Sequence, residues 1–203
     1  MHARDEEIEV KFYVQQLDAV QRLVLQAGGH LLAPRTREYN VRFDTANRSL
    51  GSAGRLLRLR RDRRCYLTYK DDTRVEGGAL HRREIEVGVD DFDTCLRLVE
   101  ALGYETVFIY EKYRTTYACG GCSVMLDELP LGHFVEIEGG RLEIEELAGK
   151  LRLKWKCAIP RSYHALFSDM RGRGAESVRD LTFSNFAGRV VEARDLGVTP
   201  ADA

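Results

Sequence analysis

The chain has 203 residues, of which 31% are charged, with 31 Lys and Arg set against 32 Asp and Glu for a formal net charge of -1. That length holds one domain with a full core, and such even mixing of signs argues against a general nucleic-acid binder, which usually carries a net basic face, so no nucleic-acid partner is expected. No apolar run approaches the roughly 18 residues of a membrane span, and the start MHARDEEIEV lacks a signal-peptide apolar stretch, so the chain is expected to be cytoplasmic with no membrane partner.

In chain order, EIEVKF at 7 to 12 reads as a strand and leads into LDAVQRLVLQAG, where Leu17, Val20, Leu23 and Val24 recur at helical spacing before Gly28 and Gly29. Strands are then predicted at about 38 to 45, 55 to 61 and 65 to 70. The grammar of the first strand returns as EIEVGV at 84 to 89, followed by the helix FDTCLRLVEALG with Asp90 or Asp91 as cap and Gly103 as stop. Strands at 107 to 118 and 122 to 127 are joined by a tight Gly120-Gly121 hairpin. The third copy, FVEIEG at 134 to 139, leads into LEIEELAGKL, and SYHALFSDM supplies a further short helix. The expectation is one domain over 1-203, with a core over about 5-170, a helical C-terminal extension over about 171-203, and a tail from about Arg189 that frays.

Residues two apart on a strand share a face, so each strand sorts into two sides. Glu7, Glu9 and Lys11 fall opposite Ile8, Val10 and Phe12; Arg58 and Arg60 opposite Leu57 and Leu59; Glu84 and Glu86 opposite Ile85 and Val87; Glu136 and Glu138 opposite Val135 and Ile137. Lys112 and Arg114 share a side, and Lys70 and Asp127 extend the charged sides of their strands. A half-exposed sheet explains any one strand. The same pairing on five strands fits an inverted barrel better: an α+β fold, an eight-stranded antiparallel β-barrel forming a tunnel, with helices packed on the outside. Charges so dense are costly to desolvate unless paired or ligand-bound, and a polyanion with its metal ions satisfies both signs.

The E-x-E-x-K run of Glu7, Glu9 and Lys11, continued in order by NVRFDT, LLRLR, LTYK, REIEV, EKYR, LDELP and FVEIEG, resembles the CYTH superfamily, the triphosphate tunnel metalloenzymes. SYHALF at 162 to 167 resembles the C-terminal helix of many bacterial members, and Arg42 departs from the pattern where many members carry an aromatic residue. The resemblance implies that Lys11, Arg58, Arg60, Lys70, Lys112 and Arg114 grip a triphosphate. It further implies that Glu7, Glu9, Asp127, Glu136 and Glu138 hold Mg²⁺ or Mn²⁺, and that Glu84 and Glu86 orient the bases or a water, with Lys112 as a general base. The activity so implied is hydrolysis of an inorganic, organic or nucleoside triphosphate. The alternatives are a class IV adenylyl cyclase, for which no base-reading motif is found, and a non-catalytic polyphosphate or nucleotide sensor. Members of the family often form dimers, so the resemblance implies a homodimer as a possible state, although no stripe identifies an interface.

Five cysteines form an odd, scattered set. Cys119 and Cys122 read as residues flanking the hairpin turn rather than half a zinc site, Trp155 as an anchor of helix to barrel wall, and the five histidines show no ligand spacing.

Overall fold

In the computed structural model, which describes residues 6–172 and 178–203, eight strands close on themselves. They are β1 (Glu6–Val14), β2 (His30–Asp44), β3 (Leu56–Arg61), β4 (Cys65–Glu76), β5 (Ala79–Val89), β6 (Glu105–Cys119), β7 (Cys122–Leu129) and β8 (Gly132–Glu138). The order around the barrel is β1-β5-β4-β3-β2-β6-β7-β8, and every pairing is antiparallel. This is the inverted barrel expected from the alternating charges.

The three strand-then-helix copies are present as β1 with α1 (Leu17–Gln26), β5 with α3 (Phe92–Ala101) and β8 with α4 (Arg141–Lys150). Asp91 caps α3, its side chain accepting from Thr94 N at 2.6 Å. Gly120 and Gly121 turn β6 into β7 with φ of +58° and +79°, both in the left-handed region that a two-residue hairpin demands. Among the described residues, α2 (Ser49–Ser52), α5 (Tyr163–Gly172) and α6 (Ala193–Leu196) complete the helices.

The hydrophobic core lies outside the barrel, between its outer faces and the helices. Val10, Phe12 and Val14 of β1 and Val135 and Ile137 of β8 are almost completely buried beneath α1 and α4. Each such side chain contributes ~1.5–3 kcal/mol by leaving water. Trp155 locks this layer: its ring meets Phe12 edge-on at 6.2 Å and its Nε1 donates to Gly77 O, so it anchors the α4 side to the barrel as expected. A second cluster, under α3, holds Val41, Phe43, Leu59 and Phe92.

One end of the barrel is filled by rings. Along β1, β8 and β6 the charged side gives way to Tyr13, Phe134, Tyr110 and Phe108, which pack against Tyr163 and Phe167 of α5.

Two expectations require correction. Among the described residues the C-terminal extension is mostly not helical: after α5 they contain only the four-residue α6, while residues 173–177, like residues 1–5 at the start of the chain, lie outside the described residues. Nor does the tail fray. Leu181 forms a parallel bridge to Tyr110, Ala201 is fully buried with its N–H bonded to Tyr13 O, and Asp202 accepts from Gln15 N and Gln16 N at 2.8–3.0 Å. The tail docks because it satisfies the open backbone donors at the start of α1. Asp202→Ala is therefore expected to cost about 1 kcal/mol in a urea-unfolding midpoint measurement, since it orphans those donors; an unchanged midpoint would show the strap to be idle.

Candidate functional site in the barrel interior

The interior holds a cavity of about 290 Å³. Twelve of the thirteen sorted charges line it: the acids Glu7, Glu9, Glu84, Glu86, Glu136 and Glu138 and the bases Lys11, Arg58, Arg60, Lys70, Lys112 and Arg114. They converge because antiparallel pairing sets like parities side by side, as in Glu9 opposite Glu138, Lys11 opposite Glu136 and Lys70 opposite Glu84.

Pairing of the two signs is extensive. Lys70 Nζ donates to Glu7 at 2.6 Å and sits 2.7 Å from Glu84. Lys11 Nζ lies 2.8 Å from Glu136, which also accepts from Arg114. Burial pushes the Glu136 carboxyl upward, but Lys11, Arg114 and Lys112 overcome that and hold it well below the usual carboxylate range. Glu86 accepts from Thr68 Oγ1 at 2.7 Å and stands 3.5 Å from Arg60, so Glu84 and Glu86 each lie against a base of the wall.

Asp127 is the exception among the thirteen. It is fully buried and does not line the cavity. Its carboxylate accepts from Arg114 at 2.6 Å, Tyr163 Oη at 2.8 Å and Lys112 Nζ at 3.0 Å. Asp127, expected among the metal ligands, is thus engaged in the wall by two bases and by Tyr163 of α5. Lys112 also lies 3.5 Å from Glu38, so its ammonium is bracketed by two carboxylates.

Four wall groups escaped the sequence reading. Arg82 donates to Glu9 at 2.5 Å and lies 3.5 Å from Glu7. Glu38 is buried, and Lys112, Arg114 and Arg60 outweigh that burial to bring its carboxyl down to about 2. Tyr110 Oη accepts from Arg58 at 3.2 Å. His164, at the start of α5, is pushed down to about 4 by burial and by Arg42 and Arg171, so it stands neutral at ordinary pH.

The acids that lack full cationic cover gather on β8, β1 and β5. Glu138 forms no ion pair among the described residues, and burial together with Glu7 and Glu9 lifts its carboxyl to about 7. Hard carboxylate oxygens repelling one another in a partly dry wall suit Mg²⁺ or Mn²⁺ by their chemistry. Glu7 and Glu9 are turned toward Lys70 and Arg82, and among the described residues no three acids converge on one point, so a cation would have to draw them together.

A closed antiparallel barrel whose interior interleaves bases with carboxylates is the class of protein that these strands define. The chain belongs to the CYTH family: residues 5–160 match the CYTH domain. It is 25% identical over 183 residues to the adenylate cyclase CyaB of Aeromonas hydrophila, a match covering 85% of this chain and 94% of that protein. Among solved structures it resembles the PH1819 protein of Pyrococcus horikoshii OT3, with a TM-score of 0.67 and 26% identity over 80% of this chain and 98% of that one. It also shares its fold with HpAC1 of Hippeastrum, described as having a dominant triphosphatase activity, with a TM-score of 0.54 and 22% identity over 95% of this chain and 100% of that one. No helix among the described residues is long and apolar enough to cross a membrane.

The raised Glu138 carboxyl fixes a pH response. The folded state keeps a proton that the unfolded chain releases nearer pH 4, so this contribution to stability is complete in acid and lost as pH rises through about 7. In chelator-treated protein the melting temperature should carry this decline between about pH 4 and about pH 7, and Glu138→Gln should flatten it. An identical slope in the variant would remove Glu138 from the account.

Proposed function

We propose that this enzyme hydrolyses a triphosphate, inorganic or nucleoside, with the help of Mg²⁺ or Mn²⁺. The observation that carries the reading is the interleaving, inside one closed barrel, of Lys11, Arg58, Arg60, Lys70, Lys112 and Arg114 with carboxylates. Such an interior is expensive to desolvate, and its bases match the non-bridging oxygens of a linear phosphate chain.

In this reading Lys70, Arg60, Arg58 and Arg114, held in place by Glu84, Glu86 and Asp127, grip the phosphoryl oxygens. They remain fixed while negative charge shifts toward the leaving oxygen, so no reorganisation is needed as the phosphorus–oxygen bond breaks. Glu7, Glu9 and Glu138 are the residues that would hold the divalent cation, with Glu136 beside them. That ion would neutralise phosphate charge and polarise a phosphoryl oxygen. The attacking water is oriented by a cavity carboxylate, for which Glu86, the more open of the two β5 acids, is best placed.

A second reading, adenylyl cyclase chemistry, is favoured by the name of the Aeromonas relative. The same grip then serves attack of a ribose hydroxyl on the α-phosphorus, with pyrophosphate leaving.

Product analysis decides between them. With Mn²⁺, the purified protein should release phosphate from tripolyphosphate or ATP, whereas cyclic AMP with pyrophosphate would replace the hydrolase by the cyclase. Glu9→Gln and Glu138→Gln should each lower metal-dependent turnover by about a hundredfold or more while the circular dichroism melt stays cooperative. Full activity in both variants would refute the metal assignment.

A further inference from the structure

Two guanidiniums in the cavity wall stand together without an anion between them. Arg42 on β2 is directly opposite Arg58 on β3 in the register. Both line the cavity, and both have a buried Nε that donates to nothing. Arg58 still reaches Tyr110 Oη at 3.2 Å and lies 3.9 Å from Glu86. Arg42 forms no ion pair among the described residues. The nearest acid along its own strand face, Asp44, is committed to the backbone N–H groups of Thr45, Leu50 and Gly51 at 2.8–2.9 Å.

Every other cationic side chain of this cavity has a carboxylate partner, so the contrast is specific to position 42. Like charges directly opposite across two strands destabilise the pair, and burial deepens the cost. Burial, with Arg58 adding to it, lowers the Arg42 guanidinium below its ordinary value, which records the same unrelieved field. A fold that keeps such a pair gains from it only when an anion arrives.

The surroundings restrict what that anion can be. Beside Arg42 the cavity wall offers Ser162, His164 and the Tyr110 hydroxyl. Behind them Phe108 is packed against Tyr110, His164 and Phe167 at ring separations of 4.7–5.6 Å. The whole cavity, at about 290 Å³, falls at the low end of the range for pockets that enclose drug-sized organic ligands.

We propose that Arg42 extends the cationic cradle beside Arg58 into an anion subsite for the second unesterified terminal phosphoryl group, the one that a nucleoside triphosphate lacks, making Arg42 the residue that selects inorganic tripolyphosphate over nucleoside triphosphates. The inference rests on the triphosphatase reading for its substrate class, but the subsite itself is a statement about binding. Inorganic tripolyphosphate has two unesterified ends and one more ionisable oxygen than a nucleoside triphosphate, so a cation placed to meet the second end favours it.

The test uses the full chain as wild type, Arg42→Gln and Arg42→Lys, with tripolyphosphate and ATP as probes. Binding is followed by calorimetry in chelator, and turnover by phosphate release with Mn²⁺. Arg42→Gln should raise the melting temperature of the ligand-free protein, because it removes the like-charge pair. It should weaken tripolyphosphate binding by about tenfold or more, the scale of a lost charge-assisted contact, and change ATP binding by no more than about threefold. Arg42→Lys should recover most of the tripolyphosphate affinity, which a merely structural role would not require. Equal losses for both ligands, or no loss for either, overturns the proposal. If wild-type protein releases phosphate from neither compound, the hydrolase reading fails, while the calorimetry still decides the subsite.

Discussion

The structure depends on the cost of placing charged side chains of both signs inside a closed wall. An ionised group taken from water loses several kcal/mol of solvation unless its field is answered nearby. Here the answer is built by strand pairing: Lys70 sits between Glu7 and Glu84, Lys11 against Glu136, and Arg114 across Asp127. These contacts do not hold the barrel together in the way that an apolar core does. They make its interior tolerable without ligand, and they leave a few groups, Glu138 on the acidic side and Arg42 on the basic side, whose fields are not answered.

Stability is supplied elsewhere, by the outer faces of the strands under the helices. This separation frees the interior for chemistry. Closure removes edge strands, the apolar layer of Val10, Phe12, Val135 and Ile137 fixes the register, and the register in turn fixes which charges meet. A slip of one residue in β1 would exchange Glu9 and Lys11 for Val10 and Phe12, exposing the core and emptying the site together. Fold and site are therefore specified by the same alternation. The docked C-terminal segment adds a second restraint, since Asp202 and Ala201 tie β1 and the start of α1 to the far end of the chain.

That shared alternation explains what was legible in the sequence. The paired acids of β1, β5 and β8 announced both the strands and the interior, and twelve of the thirteen charges so sorted line the cavity. Strand extents were less visible. β2 begins at His30 rather than near 38 because Pro34 and two register shifts break its period, and β4 runs on to Glu76 past an irregularity at Asp71–Arg74. Parity gives a side but not a depth, so Asp127 was sorted inward correctly while its place behind Arg114 was hidden. Arg82 continues the side of Glu84 and Glu86 and was recoverable by extending the same count upstream. Tyr163 and His164 were not, because they arrive from a helix that folds back over the barrel end, a long-range contact that no strand period encodes. The tail had the composition of a loose end, and its order comes from long-range contacts: Asp202 accepting from Gln15 and Gln16, and buried Ala201 bonded to Tyr13.

The most direct measurement is anomalous diffraction from crystals grown with Mn²⁺ and tripolyphosphate. The account predicts a manganese peak inside the barrel among Glu7, Glu9 and Glu138, with the phosphate chain lying along Lys70, Arg60, Arg58 and Arg42. Phosphate and manganese bound only on the outer surface, with the interior ion pairs undisturbed, would contradict it.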